Sequence, residues 1–166
     1  MKSFNGRRSI RKYTDQVVSE DSVNLILKAA MAAPSAGNQQ PWHFVVVRDR
    51  EILKKLEDIH PHGKMTGSCN VAVVVCGNNT GCKYADFWVQ DCSAATENLL
   101  LAVHELGLGA VWCGVYPEKE RCQSFSRVLE LPFEVIPFAL IPVGYPGEEK
   151  SCSDRFDEQR IHYDQW

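Results

Sequence analysis

Between Ser19 and Ala33 the apolar residues Val23, Ile26, Leu27, Ala30 and Met31 recur at steps of three, one, three and one, the spacing of a single helical face. Ser19 is placed to cap that helix, Glu20 and Asp21 complement its positive end, and Pro34 stops it by disfavouring the helical conformation at Ala33. From His43 to Val47 the chain is β-branched and apolar without clean alternation, which predicts a strand covered on both sides. Asp49 then caps a second predicted helix that runs to Ile59 with Ile52, Leu53 and Leu56 inward, ended by Pro61-His62-Gly63. Val71 to Cys76 reads as a second buried strand, followed by the turn-rich stretch Gly77-Asn78-Asn79-Thr80-Gly81. The longest predicted helix spans Asp86 to Leu106, with Cys92, Ala95, Thr96, Leu99, Leu100, Val103 and Leu106 in one stripe, Leu101 and Ala102 widening it, and Gly107 as its stop. So wide an apolar arc belongs in a core or between subunits. Gly109 to Tyr116 predicts a strand, Pro117 to Leu129 a helix, and Val135 to Val143 a last strand, in which Pro137 and Pro142 require either an edge position or bends. The remaining 144–166 is polar but carries Ile161, Tyr163 and Trp166, which predicts a tail packed on a surface.

This alternation of strands and helices predicts helices layered around one sheet, and 166 residues without repeats or compositional breaks predict a single domain. With 18 basic against 21 acidic residues and a formal charge of −3, a general nucleic-acid or anionic-membrane binder is not expected. No apolar run approaches the roughly 20 residues of a membrane span, and no N-terminal stretch reads as a signal peptide, so a cytoplasmic protein is expected. The seven cysteines, at 69, 76, 82, 92, 113, 122 and 152, include no Cys-x-x-Cys pair, and their odd number argues against a complete disulfide framework. His60, His62, Cys69 and Cys82 fit no zinc spacing, so packed free thiols and no metal are expected.

Two stretches carry the candidate chemistry. Ala32-Ala33-Pro34-Ser35-Ala36-Gly37-Asn38-Gln39-Gln40-Pro41-Trp42 joins the first predicted helix to the first predicted strand. Its prolines restrict φ on both sides, Gly37 admits a backbone conformation that other residues avoid, and the side chains between are small or amide-bearing, which suits a flat ligand with a polar rim. Upstream, Arg7-Arg8-Ser9-Ile10-Arg11 sets three guanidinium groups and a hydroxyl within five residues, a combination apt for a phosphate and its polyol tail. Residues 1–6 are too few for a helix that stands alone, so tertiary contacts must hold this cluster, and Asp15 is its near acidic neighbour in sequence. Neither Gly-x-Gly-x-x-Gly after a strand, nor Gly-x-Ser-x-Gly, His-Glu-x-x-His or a phosphate-binding loop occurs, so a bound cofactor is the simplest source of reactivity.

These two stretches, with Gly107-Leu108-Gly109-Ala110-Val111-Trp112-Cys113-Gly114 and the ending Arg155-Phe156-Asp157-Glu158-Gln159-Arg160-Ile161-His162-Tyr163, resemble the FMN-dependent nitroreductase family in order and spacing over nearly the whole chain. The resemblance implies an α+β nitroreductase-like fold: a mixed central sheet flanked by helices, with 1–166 as one FMN-binding domain. It further implies a homodimer with the long helix buried at its interface, the 144–166 tail on the partner, and FMN in each of two interface clefts. It implies an NAD(P)H oxidoreductase in which hydride passes by alternating half-reactions through the flavin N5 to a nitroaromatic, quinone or similar electron-poor acceptor, with no catalytic side chain of its own. Arg7, Arg8 and Arg155 resemble the phosphate-side residues, Ser9 the ribityl-side hydroxyl, and Arg11 the cation near the pyrimidine edge. Pro34, Ser35, Asn38 and Gln40 match the ring-lining loop. Trp112, Cys113 and Gly114 occupy the place where many larger members carry a Glu-Gly pair whose backbone contacts N5; here the glutamate is a cysteine. The rival readings are a non-catalytic FMN-binding or carrier protein, and a specialised relative performing reductive dehalogenation, whose added lid residues have no obvious equivalent here.

Overall fold

The computed structural model describes residues 2–152 and 154–166. Among these described residues five α-helices, α1 (Lys2–Gly6), α2 (Glu20–Met31), α3 (Arg50–Ile59), α4 (Trp88–Glu105) and α5 (Lys119–Val128), surround a sheet of five strands, β1 (Trp42–Val47), β2 (Val71–Gly77), β3 (Gly109–Ala110), β4 (Cys113–Gly114) and β5 (Ile136–Gly144). The order is β1-β2-β5-β3, with β4 also on β5, and every strand pairing is antiparallel. The mixed character of the sheet comes from a parallel bridge between Ser9 and Ala110.

Local chemistry starts the helices where the pattern placed them. The Ser19 hydroxyl accepts the Ser22 N–H at 3.1 Å, and Asp49 Oδ1 accepts the N–H groups of Glu51 and Ile52, each at 2.9 Å. Burial then follows the period-two rule of a strand. Val71, Val73 and Val75 of β2 and Ala139, Ile141 and Val143 of β5 face a core shared with α2 and α4, while Ala72, Val74, Cys76 and Leu140 face a second core with Leu53 and Leu56 of α3 and Phe125 of α5. The chain is thus a sheet between two helical layers.

Two expectations change, and β5 takes the second of the two alternatives its prolines allowed. β5, with its two prolines, is a central strand, between β2 and β3/β4. Pro137 lies at a register shift, where Val75 pairs with Ala139 and Cys76 with Pro137, so its missing N–H falls at a bulge. Pro142 falls in the gap between β3 and β4. Ala110 pairs with Val143 and Cys113 with Leu140, so the same register sets Val111 opposite Pro142, which has no N–H to give; the predicted strand from Gly109 to Tyr116 is therefore two short strands. β1 is an edge strand: Trp42 and Val47 are buried, Phe44 and Val45 are half-buried against the two cores, and His43 and Val46 are exposed.

The stripe of α4 is buried within the chain: Cys92, Ala95, Thr96, Leu99, Leu100 and Val103 are all covered, largely by α2 and the sheet, whereas Leu106 is exposed. The tail differs, for Phe156, Ile161, Tyr163 and Trp166 stand exposed on their own subunit. Among the described residues no helix is long and apolar enough to cross a membrane, and no group of His, Cys, Asp and Glu is arranged to hold a metal.

Candidate functional site

Residues 7–13 run beside β3 and the chain that follows β5, and are fixed at several points. Ser9 bridges Ala110, the Ile10 N–H donates to the Ala110 carbonyl at 2.9 Å, and Tyr13 bridges Pro146. Glu148 Oε1 accepts the Arg11 N–H at 2.6 Å, and the Lys150 ammonium donates to the Ser9 carbonyl at 2.7 Å. At the start of this segment Arg7, Arg8 and Arg155 line one cavity of about 600 Å³ with Phe4, Asn5, Cys152, Asp154 and Phe156. Three guanidinium groups from opposite ends of the sequence thereby meet. Arg8 braces the cavity wall, donating to the carbonyls of Ser151, Arg7 and Asn5 at 2.9, 2.6 and 2.7 Å. Arg7 lies 3.5 Å from Glu97 of α4, so its acidic partner is Glu97 rather than the neighbouring Asp15.

At the other end of the segment Arg11 approaches Cys113, where its charge opposes the upward shift that burial gives the thiol, which is pushed up to about 11. The guanidinium of Arg11 has no hydrogen-bond or ion-pair partner among the described residues. Cys113 turns its sulfur inward, 3.7 Å from the His62 carbonyl, and so offers the site only its backbone. Gly114 is different. The Val115 N–H bonds to Phe138, which makes Gly114 and Ala139 a non-hydrogen-bonded pair and points the N–H and C=O of Gly114 away from β5. Its carbonyl accepts two hydrogen bonds, from His60 Nε2 at 2.9 Å and Arg121 Nη1 at 2.7 Å, and the space above its Cα is open. Trp112 is half-buried and packs edge-on against Phe138, with ring centres 5.7 Å apart.

The predicted ring-lining turn is a 3-10 turn over Ala36–Asn38 with Gly37 (φ 56°), Asn38 (φ 55°) and Gln40 (φ 49°) all left-handed. For the two non-glycine residues this conformation costs roughly 1–3 kcal/mol each, so the surroundings must enforce it. The Ser35 hydroxyl accepts the Gln40 N–H at 3.0 Å, and Gln40 Nε2 donates to Asn38 Oδ1 at 2.9 Å. The buried carboxylate of Asp91 on α4 accepts the Ala36 N–H at 2.9 Å and Gln39 Nε2 at 3.2 Å. The outcome is a rigid turn that presents Pro34, Asn38 and Gln40 to solvent.

The turn and the arginine segment are not joined within one chain; among the described residues no hydrogen bond or ion pair connects them. The turn enters β1, at the sheet edge opposite β4. Phe44, Val75, Ala139 and Gly114 form one cross-strand row, so three strand spacings, roughly 14 Å, separate Phe44 from Gly114. Sequence reading missed Glu97, Asp91, Gln39, His60 and Arg121. Only Asp91 carried a signal, because an acid three residues after Trp88 and four before Ala95 falls on the buried face of a helix.

A cavity lined by three arginines thus opens at the start of the segment, and an outward backbone amide stands at Gly114, on an α+β sheet. The chain belongs to the nitroreductase family, whose sequence profile, described as "Nitroreductase family", matches residues 5–68 and 79–145. It is 49% identical over 166 residues, all of this chain and 87% of the other, to a Methanothermobacter thermautotrophicus protein provisionally named NADH dehydrogenase/NAD(P)H nitroreductase. A provisionally named NADH oxidase from Clostridium acetobutylicum superposes with a TM-score of 0.95 at 41% identity, over 99% of each chain. An FMN-dependent nitroreductase from Clostridium difficile does so with 0.92 at 30% identity, over 99% of this chain and 98% of that one.

Proposed function

We propose that this chain is an FMN-dependent NAD(P)H oxidoreductase that works as a homodimer, with Arg7, Arg8, Arg155, Ser9, Arg11 and Gly114 of one subunit facing Pro34, Ser35, Asn38 and Gln40 of the other. One observation carries the reading: the segment Arg7–Arg11, held against Ala110, starts at the three-arginine cavity and ends on Arg11, whose guanidinium is unpartnered among the described residues and whose charge acts on Cys113, the neighbour of Gly114. Four residues of chain reach at most roughly 13 Å, enough for a phosphate at one end and a ring at the other. The donors fit that group: guanidinium for a dianionic phosphate, the Ser9 hydroxyl for a polyol midway, and an uncommitted Arg11 with an outward amide for an electron-rich ring edge.

When bound, FMN supplies the centre that accepts hydride and passes it on. The chain's own residues bind and orient it. Arg11 sets a fixed cation where negative charge grows on reduction, which favours the reduced state. The Gly114 N–H, turned away from β5 by the register of β4, offers a donor of set direction. In the proposed cycle NAD(P)H and an electron-poor acceptor occupy the cleft in turn. The turn of the same chain stands across the sheet from the Gly114 edge, so the reading requires the turn of a second copy. The exposed tail aromatics give the partner an apolar surface to cover.

Purified protein is expected to be yellow, and anaerobic stopped-flow mixing with NADH or NADPH should bleach the bound flavin within turnover time, with recovery on adding a quinone. Bound flavin that neither nicotinamide reduces would favour a flavin carrier instead.

A further inference from the structure

Asp91 takes no part in the apolar packing around it. The residue is 5% exposed and sits on α4 among Trp88, Cys92 and Ala95, yet both carboxylate oxygens address the turn. A charge is tolerated there only because its hydrogen bonds offset the lost water. Oδ1 takes the Ala36 N–H, the first of the 3-10 turn, and so caps that turn from 55 residues away. Oδ2 takes Gln39 Nε2, and Gln39 passes the restraint on: its Nε2 also donates to the Tyr84 carbonyl at 2.9 Å, and its Oε1 accepts the Tyr84 N–H at 3.1 Å. The Tyr84 ring lies against Gly37, where an added Cβ would come within 2.6 Å of it, and keeps 40% of its surface exposed. One carboxylate thus ties together the left-handed turn and the segment that leads into α4.

We propose that Asp91 is a positioning residue for the flavin ring, and that through Gln39 it sets Tyr84 as the aromatic wall met by a flat acceptor. This rests on the reading of the turn as ring-lining. The role calls for a carboxylate, because two donors converge on it and an amide could accept only one of them while turning its own N–H groups on the other. The left-handed run would then lose the restraint that enforces it, and Asn38 and Gln40 would no longer present their amides in a fixed direction.

The full-length protein carrying Asp91→Asn or Gln39→Ala tests this with two probes, FMN and riboflavin. Each variant should weaken both flavins by the same factor, about tenfold for Asp91→Asn, and alter the visible circular dichroism of the bound ring. Gln39→Ala should also raise KM for an aromatic quinone more than it lowers kcat. A loss for FMN that exceeds the loss for riboflavin would assign the effect to the phosphate end and overturn the proposal. Should Asp91→Asn not fold, Gln39→Ala decides alone, since it removes a side chain from the half-buried surface. Wild-type protein that takes up neither flavin overturns the functional reading and this one with it; flavin binding and dichroism unchanged in both variants overturn this one alone.

Discussion

His60 Nε2 lies 2.9 Å from the Gly114 carbonyl oxygen, and the tautomer is set from the other side of the ring, where Nδ1 accepts the His62 N–H at 3.1 Å. The imidazole is therefore neutral with its proton on Nε2. Burial, which disfavours the charged form, holds its pKa below the ordinary 6.5, and the neighbouring Arg121 and His62 push the same way. In the unfolded chain His60 takes up a proton near 6.5, while in the folded chain it resists. The unfolded state thus binds more protons below that value, and stability is lost as pH falls through the window and is flat above it. Urea midpoints measured at about pH 5.5 and 7.5 should differ in the wild type and differ less in His60→Gln.

Arg121 is the other donor to the same carbonyl, at 2.7 Å, and unlike His60 it is only half-buried. Arg121→Met should leave the thermal midpoint nearly unchanged yet lower the flavin midpoint potential, since it removes both a cation and a restraint beside the Gly114 amide. Potentiometry with a reference dye checks this, and an unchanged potential would count against Gly114 as a contact of the reactive ring edge.

Gly37 combines φ of 56° with a position where a Cβ would meet Tyr84 at 2.6 Å. Gly37→Ala should cost roughly 1–2 kcal/mol for the left-handed conformation alone. The displaced Tyr84 should weaken flavin binding further. Isothermal titration with FMN, set beside the thermal midpoint, separates the two effects.

Burial pushes the thiols of Cys69, Cys76 and Cys92 up to about 12 and that of Cys113 to about 11, so all four stay protonated near neutral pH. Cys152 is exposed at the three-arginine cavity. Iodoacetamide followed by peptide mass spectrometry should label Cys152 first and leave those four untouched until the protein is unfolded. Added FMN should slow the Cys152 reaction.

Trp166 is fully exposed and Tyr163 nearly so on their own subunit. In the proposed dimer they are covered, so a chain ending at Lys150 should shift towards monomer in sedimentation velocity while keeping its far-ultraviolet dichroism. Trp166 emission in the full chain should lie to the blue of that of a solvated indole.

The sequence by itself determined the elements and their inward faces. Ser19 and Asp49 cap the helices they were expected to cap, the valines of β2 divide between two cores by strict alternation, and the motif order carries the family. Local spacing and backbone sterics decide such features, and both are written in neighbouring residues. Strand order and the partners of the polar groups were decided by tertiary structure alone. Pro137 and Pro142 are compatible with an edge or with a bulge and a gap, and only the placement of β3 and β4 chooses the latter. Arg155 joins Arg7 and Arg8 across almost the whole chain, His60 and Arg121 meet at one carbonyl, and Asp91 caps a turn 55 residues before it. Each of these is a hydrogen-bonding demand met by whichever group the folded backbone brings within about 3 Å, and sequence distance has no bearing on which group that is.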